Sequence, residues 1–99
     1  MNPWRVLADN QSAPGWIIVA WNYSGKRNKW YTTPTPIAPG TQGIVHIWPC
    51  DTRRFSLFVL LQKGPDDYQC SKNGVPIQPD CGTDGFIFTV RADDLHDGA

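Results

Sequence analysis

The sequence predicts an all-β fold: a small antiparallel β-sandwich, Ig-like or prealbumin-like, of six or seven strands in a single domain over residues 1–99. Three observations carry that expectation. All of the nine acidic residues are Asp and none is Glu; Asp competes for its own backbone and favours turns, whereas Glu favours helices. Nine Gly and nine Pro interrupt helices, and no long stretch repeats apolar residues at i, i+3, i+4. Short apolar runs instead recur between turn signals, roughly 8–14 residues apart, which is the pattern of a sandwich or small barrel.

Trp4–Ala8 reads as a first strand, ended by Asp9-Asn10-Gln11-Ser12 and Pro14-Gly15. Residues 16–23 alternate, with Ile17, Val19, Trp21 and Tyr23 on one face. Ser24–Lys29 is a polar turn, and Trp30–Thr33 the return strand of a hairpin. Pro34, Pro36 and Pro39 then forbid ladder pairing, so an edge or loop follows. Pro39-Gly40 begins a turn, after which Gly43–Trp48 is a strand that Pro49 stops. Phe55–Leu61 is the strongest apolar run; Phe55, Leu57, Val59 and Leu61 share one face, and Phe58 and Leu60 make the other apolar too. Such a strand is covered on both sides or meets a partner. Tyr68–Cys70 is short, and Asn73-Gly74 is the strongest hairpin-turn dipeptide in the chain. Val75–Cys81, broken by Pro76 and Pro79, is an extended edge; Gly85–Arg91 closes the set. Asp93–Ala99 is a polar tail or a single helical turn.

Nine Lys and Arg balance nine acids, which argues against nucleic-acid binding by phosphate neutralisation. Apolar residues reach 40%, which argues against disorder. No apolar run is long enough to cross a bilayer. The start Met1-Asn2-Pro3-Trp4-Arg5 lacks the features of a secretory signal, leaving the cytoplasm as the default expectation.

Trp21-Asn22-Tyr23-Ser24-Gly25, Tyr31-Thr32, Ala38-Pro39-Gly40-Thr41 and His46 together resemble the β domain of the von Hippel–Lindau tumour suppressor family. The resemblance spans about a quarter of the chain, with gaps, and implies a two-sheet sandwich. In that family a Tyr in the return strand, with Ser, His and Trp in a later strand, holds a hydroxyproline peptide. Tyr31 matches the Tyr; the Ser–His–Trp set has no counterpart at matching spacing, and Ile47 stands near the Ser position. Peptide recognition is therefore not carried over.

Cys50, Cys70 and Cys81 are an odd count. Without a leader the expectation is reduced thiols packed as small hydrophobes. A Cys70–Cys81 disulfide across the Asn73-Gly74 hairpin is the second reading. A zinc site from His46, Cys50, Cys70 and Cys81 is a third, without the paired close spacing of zinc fingers. No cofactor motif is present. A small enzyme would rest on a Cys50–His46 pair with Asp51 nearby, and paired carboxylates such as Asp66-Asp67 point to opposite sides of an extended chain. The expectation is a non-enzyme.

Five Trp and three Tyr exceed what one small core needs, and such rings are enriched where proteins touch partners. The first hypothesis is a protein-binding module, in an assembly or as an inhibitor or adaptor. It would act through an aromatic-basic hairpin of Tyr23, Lys26, Arg27, Lys29, Trp30 and Tyr31, with Phe58 on the two-sided strand as a second surface. The alternative is a carbohydrate- or lipid-headgroup-binding module using Trp30, Tyr31 and Trp48.

Overall fold

The computed structural model describes residues 2–23 and 29–98. Along them run β1 (Pro3–Gln11), β2 (Ile17–Tyr23), β3 (Tyr31–Ile37), β4 (Gln42–Pro49), β5 (Phe55–Lys63), β6 (Asp67–Ser71), β7 (Val75–Ile77), β8 (Gly85–Arg91) and β9 (Leu95–Asp97). A small sheet takes the order β4-β1-β8; a large sheet takes β3-β2-β5-β6-β9, with β7 also paired to β5. The two-layer all-β architecture read from the sequence is therefore present. Two particulars differ: nine strands stand among the described residues, and β1 pairs with β8 in parallel.

Two turns connect strands for the reason the sequence suggested. Trp16 N–H donates to the Ala13 carbonyl (3.2 Å) and Thr41 N–H to the Ala38 carbonyl (3.2 Å). Each closes a Pro-Gly turn whose glycine has φ of +86° (Gly15) or +79° (Gly40), the positive value that position i+2 of a type II turn requires. β3 lies at the edge of the large sheet, and its pairing with β2 jumps from Thr32 to Ile37. Pro34 and Pro36 fall in the gap, exposed, where no ladder N–H is needed.

Three expectations are corrected. Asn73-Gly74 is not a hairpin turn: β6 pairs with Leu60–Lys63 and β7 with Phe55–Leu57 along the same strand, so the chain jogs and continues. A type I′ turn needs positive φ at both central residues, and neither Asn73 nor Gly74 has it. The tail is more than a polar tail or a single helical turn: Ala92–Asp94 makes one 3-10 turn, and β9 then pairs with β6, with Leu95 buried opposite Ser71. The thiols are not all reduced, nor is the bridge Cys70–Cys81. Cys50 and Cys81 are joined, their Cα atoms 4.8 Å apart, and Cys70 is the reduced residue, buried on β6. The jog carries Cys70 away from Cys81, while β4 ends beside the loop that leads into β8.

The main core lies between the sheets. Trp4, Val6 and Ala8 alternate inward from β1, facing Leu57, Val59 and Leu61 of β5. Each fully buried aliphatic chain contributes about 1.5–3 kcal/mol. Asn10 is also fully buried, yet its amide is satisfied: Nδ2 donates to the carbonyls of Trp16 (2.9 Å) and Ile37 (2.8 Å), and Oδ1 accepts from Ser12. It ties β1 to the large sheet. A second cluster sits on the outward face of the large sheet, where Ala20, Leu60 and Cys70 are buried against Val19, Trp30 and Tyr68. The two-sided strand β5 is thus covered on both sides, and Leu60 is only 7% exposed.

Candidate aromatic cleft

A bulge between Ile18 and Ala20 resets the alternation of β2, so Trp21 and Tyr23 join Ile18 on the inward face. Trp21 stands opposite Tyr31 of β3, and Tyr23 opposite Leu57 of β5. From the other sheet, β4 sends His46 and Trp48 inward, opposite Val6 and Trp4 of β1. Phe55 opens β5. Tyr23, Tyr31, His46 and Trp48 pack around Trp21, which is 5% exposed. Its ring centroid lies 4.8 Å from Tyr31, 4.9 Å from His46 and 5.0 Å from Trp48. Trp48 in turn lies 4.9 Å from Phe55, and Tyr23 6.3 Å from Phe55. Offset and edge contacts of this kind each add about 0.5–1.5 kcal/mol beyond area burial.

The outer rings of the cluster open into a cleft of about 350 Å³ lined by Tyr23, Trp48, Thr52, Arg53, Arg54 and Phe55. Three of its six lining residues are aromatic, and no acid is among them. Arg53 and Arg54 are exposed and form no side-chain hydrogen bond or ion pair among the described residues. Lys29 stands nearby, its Nζ 5.2 Å from the centre of the Tyr31 ring, within cation–π range.

Two titrations are displaced here. Burial against the indoles lowers the His46 pKa from the ordinary imidazole value, because the charged ring loses water. Tyr23 is raised, first by its hydrogen bond with Tyr31 and then by that phenol's charge.

Among the described residues the Trp21 indole Nε1 is buried without a hydrogen-bond partner, as are both amide atoms of Asn22. Asn22 faces the other side of β2, opposite Phe58. Each such group costs about 1–3 kcal/mol.

The residues singled out by sequence divide between two faces. Tyr23 and Tyr31 belong to the inward cluster. Trp30 packs on the outward cluster with Ala20, Leu60 and Cys70, and Phe58 is half-buried on that same face. Lys26 and Arg27 lie outside the described residues. The hairpin therefore does not present its aromatics as one platform, because Trp30 is occupied in covering the large sheet. The spare rings are also less exposed than their number suggested: Trp4 and Trp21 are buried, and Trp16, Trp30 and Trp48 half-buried. Trp4 donates its indole N–H to Thr83 Oγ1 (2.9 Å).

The four residues of the zinc reading do not assemble. Cys50 and Cys81 are consumed by the disulfide, His46 is packed between indoles, and Cys70 is on the other sheet. The same bridge removes Cys50 as a nucleophile for His46. One contact was not anticipated: Cys70 Sγ lies 3.3 Å from Nε2 of His96. His96 Nδ1 is 3.0 Å from the Asp97 carbonyl, which only accepts, so in the neutral ring Nδ1 donates there and Nε2 accepts from the thiol. No apolar pattern in the last residues pointed to a strand that would bring His96 there.

No helix among the described residues is long and apolar enough to cross a membrane. Comparison of the chain with protein-family models, curated protein sequences and solved structures returns no match.

Proposed function

We propose that this protein is a non-catalytic binding module whose recognition site is the aromatic cleft bounded by Tyr23, Trp48, Phe55, Arg53 and Arg54. The occupant is a segment of another protein that carries an apolar or aromatic side chain beside a carboxylate. The observation that carries this reading is the pairing of a ring-walled cleft with two adjacent arginines that no acid of the described residues neutralises. A cleft of about 350 Å³ is at the small end of ligand sites, which suits one or two inserted side chains. Trp, Tyr and Arg are the residue types that most often dominate binding energy at interfaces. Guanidinium groups pair with carboxylates through two parallel hydrogen bonds. Tyr31 belongs to the same ring cluster.

Selection from a random peptide library displayed on phage tests the proposal. Enriched peptides are expected to place Asp or Glu next to Phe, Trp or Leu. They should lose binding to Trp48→Ala and to the double variant Arg53→Glu/Arg54→Glu, each checked by circular dichroism for an unchanged fold. Peptides that bind the double variant as well as the parent would sink the cleft as the site. Enrichment of no peptide, with a response on a glycan array that Trp48→Ala abolishes, would favour sugar binding instead.

A further inference from the structure

The outward face of the small sheet is a grid fixed by register. Across β4, β1 and β8 its rows read Ile47–Arg5–Gly85, then Ile44–Leu7–Ile87, then Gln42–Asp9–Thr89. Alternation confirms which side this is: Trp4, Val6 and Ala8 are buried, and Arg5 and Leu7 are not. Ile87 is 46% exposed and Ile47 43%, two of the three large apolar residues that stand exposed among the described residues. A Cβ on Gly85 would fall on the Arg5 carbonyl, so glycine permits β8 to lie this close to the central strand.

The charges on β1 are arranged about a centre. Arg5 and Asp9 flank Leu7 on the same face, one positive and one negative, each about 7 Å along the strand from it. Arg5 has no side-chain partner among the described residues, and Asp9 is held in place by the amide of Gln11 (2.8 Å). We infer that this face binds a second copy of the chain, sheet against sheet. A two-fold axis lies in the interface, crossing β1 at Leu7 at right angles to the strand. That operation sets Ile44, Leu7 and Ile87 on their own counterparts and places Arg5 of each copy over Asp9 of the other. An axis along the strand would instead set Arg5 on Arg5 and Asp9 on Asp9, so charge selects the antiparallel arrangement. Three strands about 4.8 Å apart over five residues cover only a few hundred Å², below the roughly 800 Å² per partner of a stable interface. The dimer is therefore weak and concentration-dependent.

Sedimentation velocity on the intact protein, from about 10 μM to about 1 mM, tests this. A monomer–dimer equilibrium is expected. Arg5→Asp and Asp9→Arg should each raise the dissociation constant at least about ten-fold, and the double variant should return it to near the parent value because opposite charges meet again. Ile87→Ser should also weaken association, with its fold checked by circular dichroism. A monomer throughout the range overturns the inference, as does a dimer insensitive to all four variants. Single variants that weaken association without rescue in the double variant overturn the antiparallel arrangement.

Discussion

On the large sheet the outward-facing Ala20 and Leu60 are each 7% exposed beneath Trp30, Tyr68 and Val19, whereas on the small sheet Ile87 stands 46% exposed. Both faces are apolar in sequence, yet only one is covered by its own chain. The cover comes from residues next to strand ends, Trp30 before β3 and Tyr68 within β6. Sheet width explains the difference. Six strands supply enough flanking residues to close a second cluster, and three do not. Apolar content alone, strongest in Phe55–Leu61, therefore points to the wrong face; what separates the two is whether neighbouring aromatics can reach across.

That contrast can be broken first at the disulfide, which fastens the end of β4 to the loop before β8. Its two cysteines are 31 residues apart, a loop whose closure is worth about 3–4 kcal/mol on chain-entropy grounds. Reduction, or Cys50→Ser with Cys81→Ser, should lower the urea-unfolding free energy by that amount. A loss under about 1 kcal/mol would mean that pairing of β1 with β8 and β4 suffices. The faces themselves are compared by two truncations. Leu60→Ala should cost about 2–4 kcal/mol, and Ile87→Ala, in dilute protein, under about 0.5 kcal/mol. Equal costs would erase the distinction. Asn22→Val should add about 1–2 kcal/mol by removing a buried amide without partners, and a destabilised variant would show that the amide is satisfied. The smallest effect is the pH dependence from His46, whose pKa is lowered in the folded state. Above the ordinary imidazole value, near 6.5, the ring is neutral in both states. As pH falls through that value the unfolded chain takes up a proton that the folded chain resists, so stability declines. Melting temperatures from about pH 8 to about pH 5 should fall, and His46→Leu should flatten that part of the curve.

Much of the fold was legible because burial on one face writes itself as alternation: Gly85–Arg91 and Phe55–Leu61 lie within the strands they predicted, and the two Pro-Gly dipeptides sit in their turns. What was not legible depends on distant pairings. Cys70 and Cys81 are nearer in sequence than Cys50 and Cys81, but the route of β6 and β7 along β5 decides which thiols meet. β9 contains one buried apolar residue, Leu95, too few to leave a period. Of the candidate site, Tyr23, Tyr31 and Trp48 were visible as aromatics. Their union with Phe55, Arg53 and Arg54 needed β4 and the start of β5 to approach β2, a tertiary fact no local pattern carries.

The parallel pair in the small sheet also has a temporal meaning. β1 is its middle strand, and Arg5 is aligned with Gly85, which is synthesised only after β2 to β7. During synthesis, β2, β3 and β5 can associate before β8 has been made, but Trp4, Val6 and Ala8 have no complete layer until Gly85–Arg91 is available to pair with β1. Assembly of that layer is a closing step, slowed by the distance in sequence it must bridge. Any chain released before Gly85 would carry an unroofed middle strand, a substrate for chaperones or proteases rather than a shorter version of the same molecule.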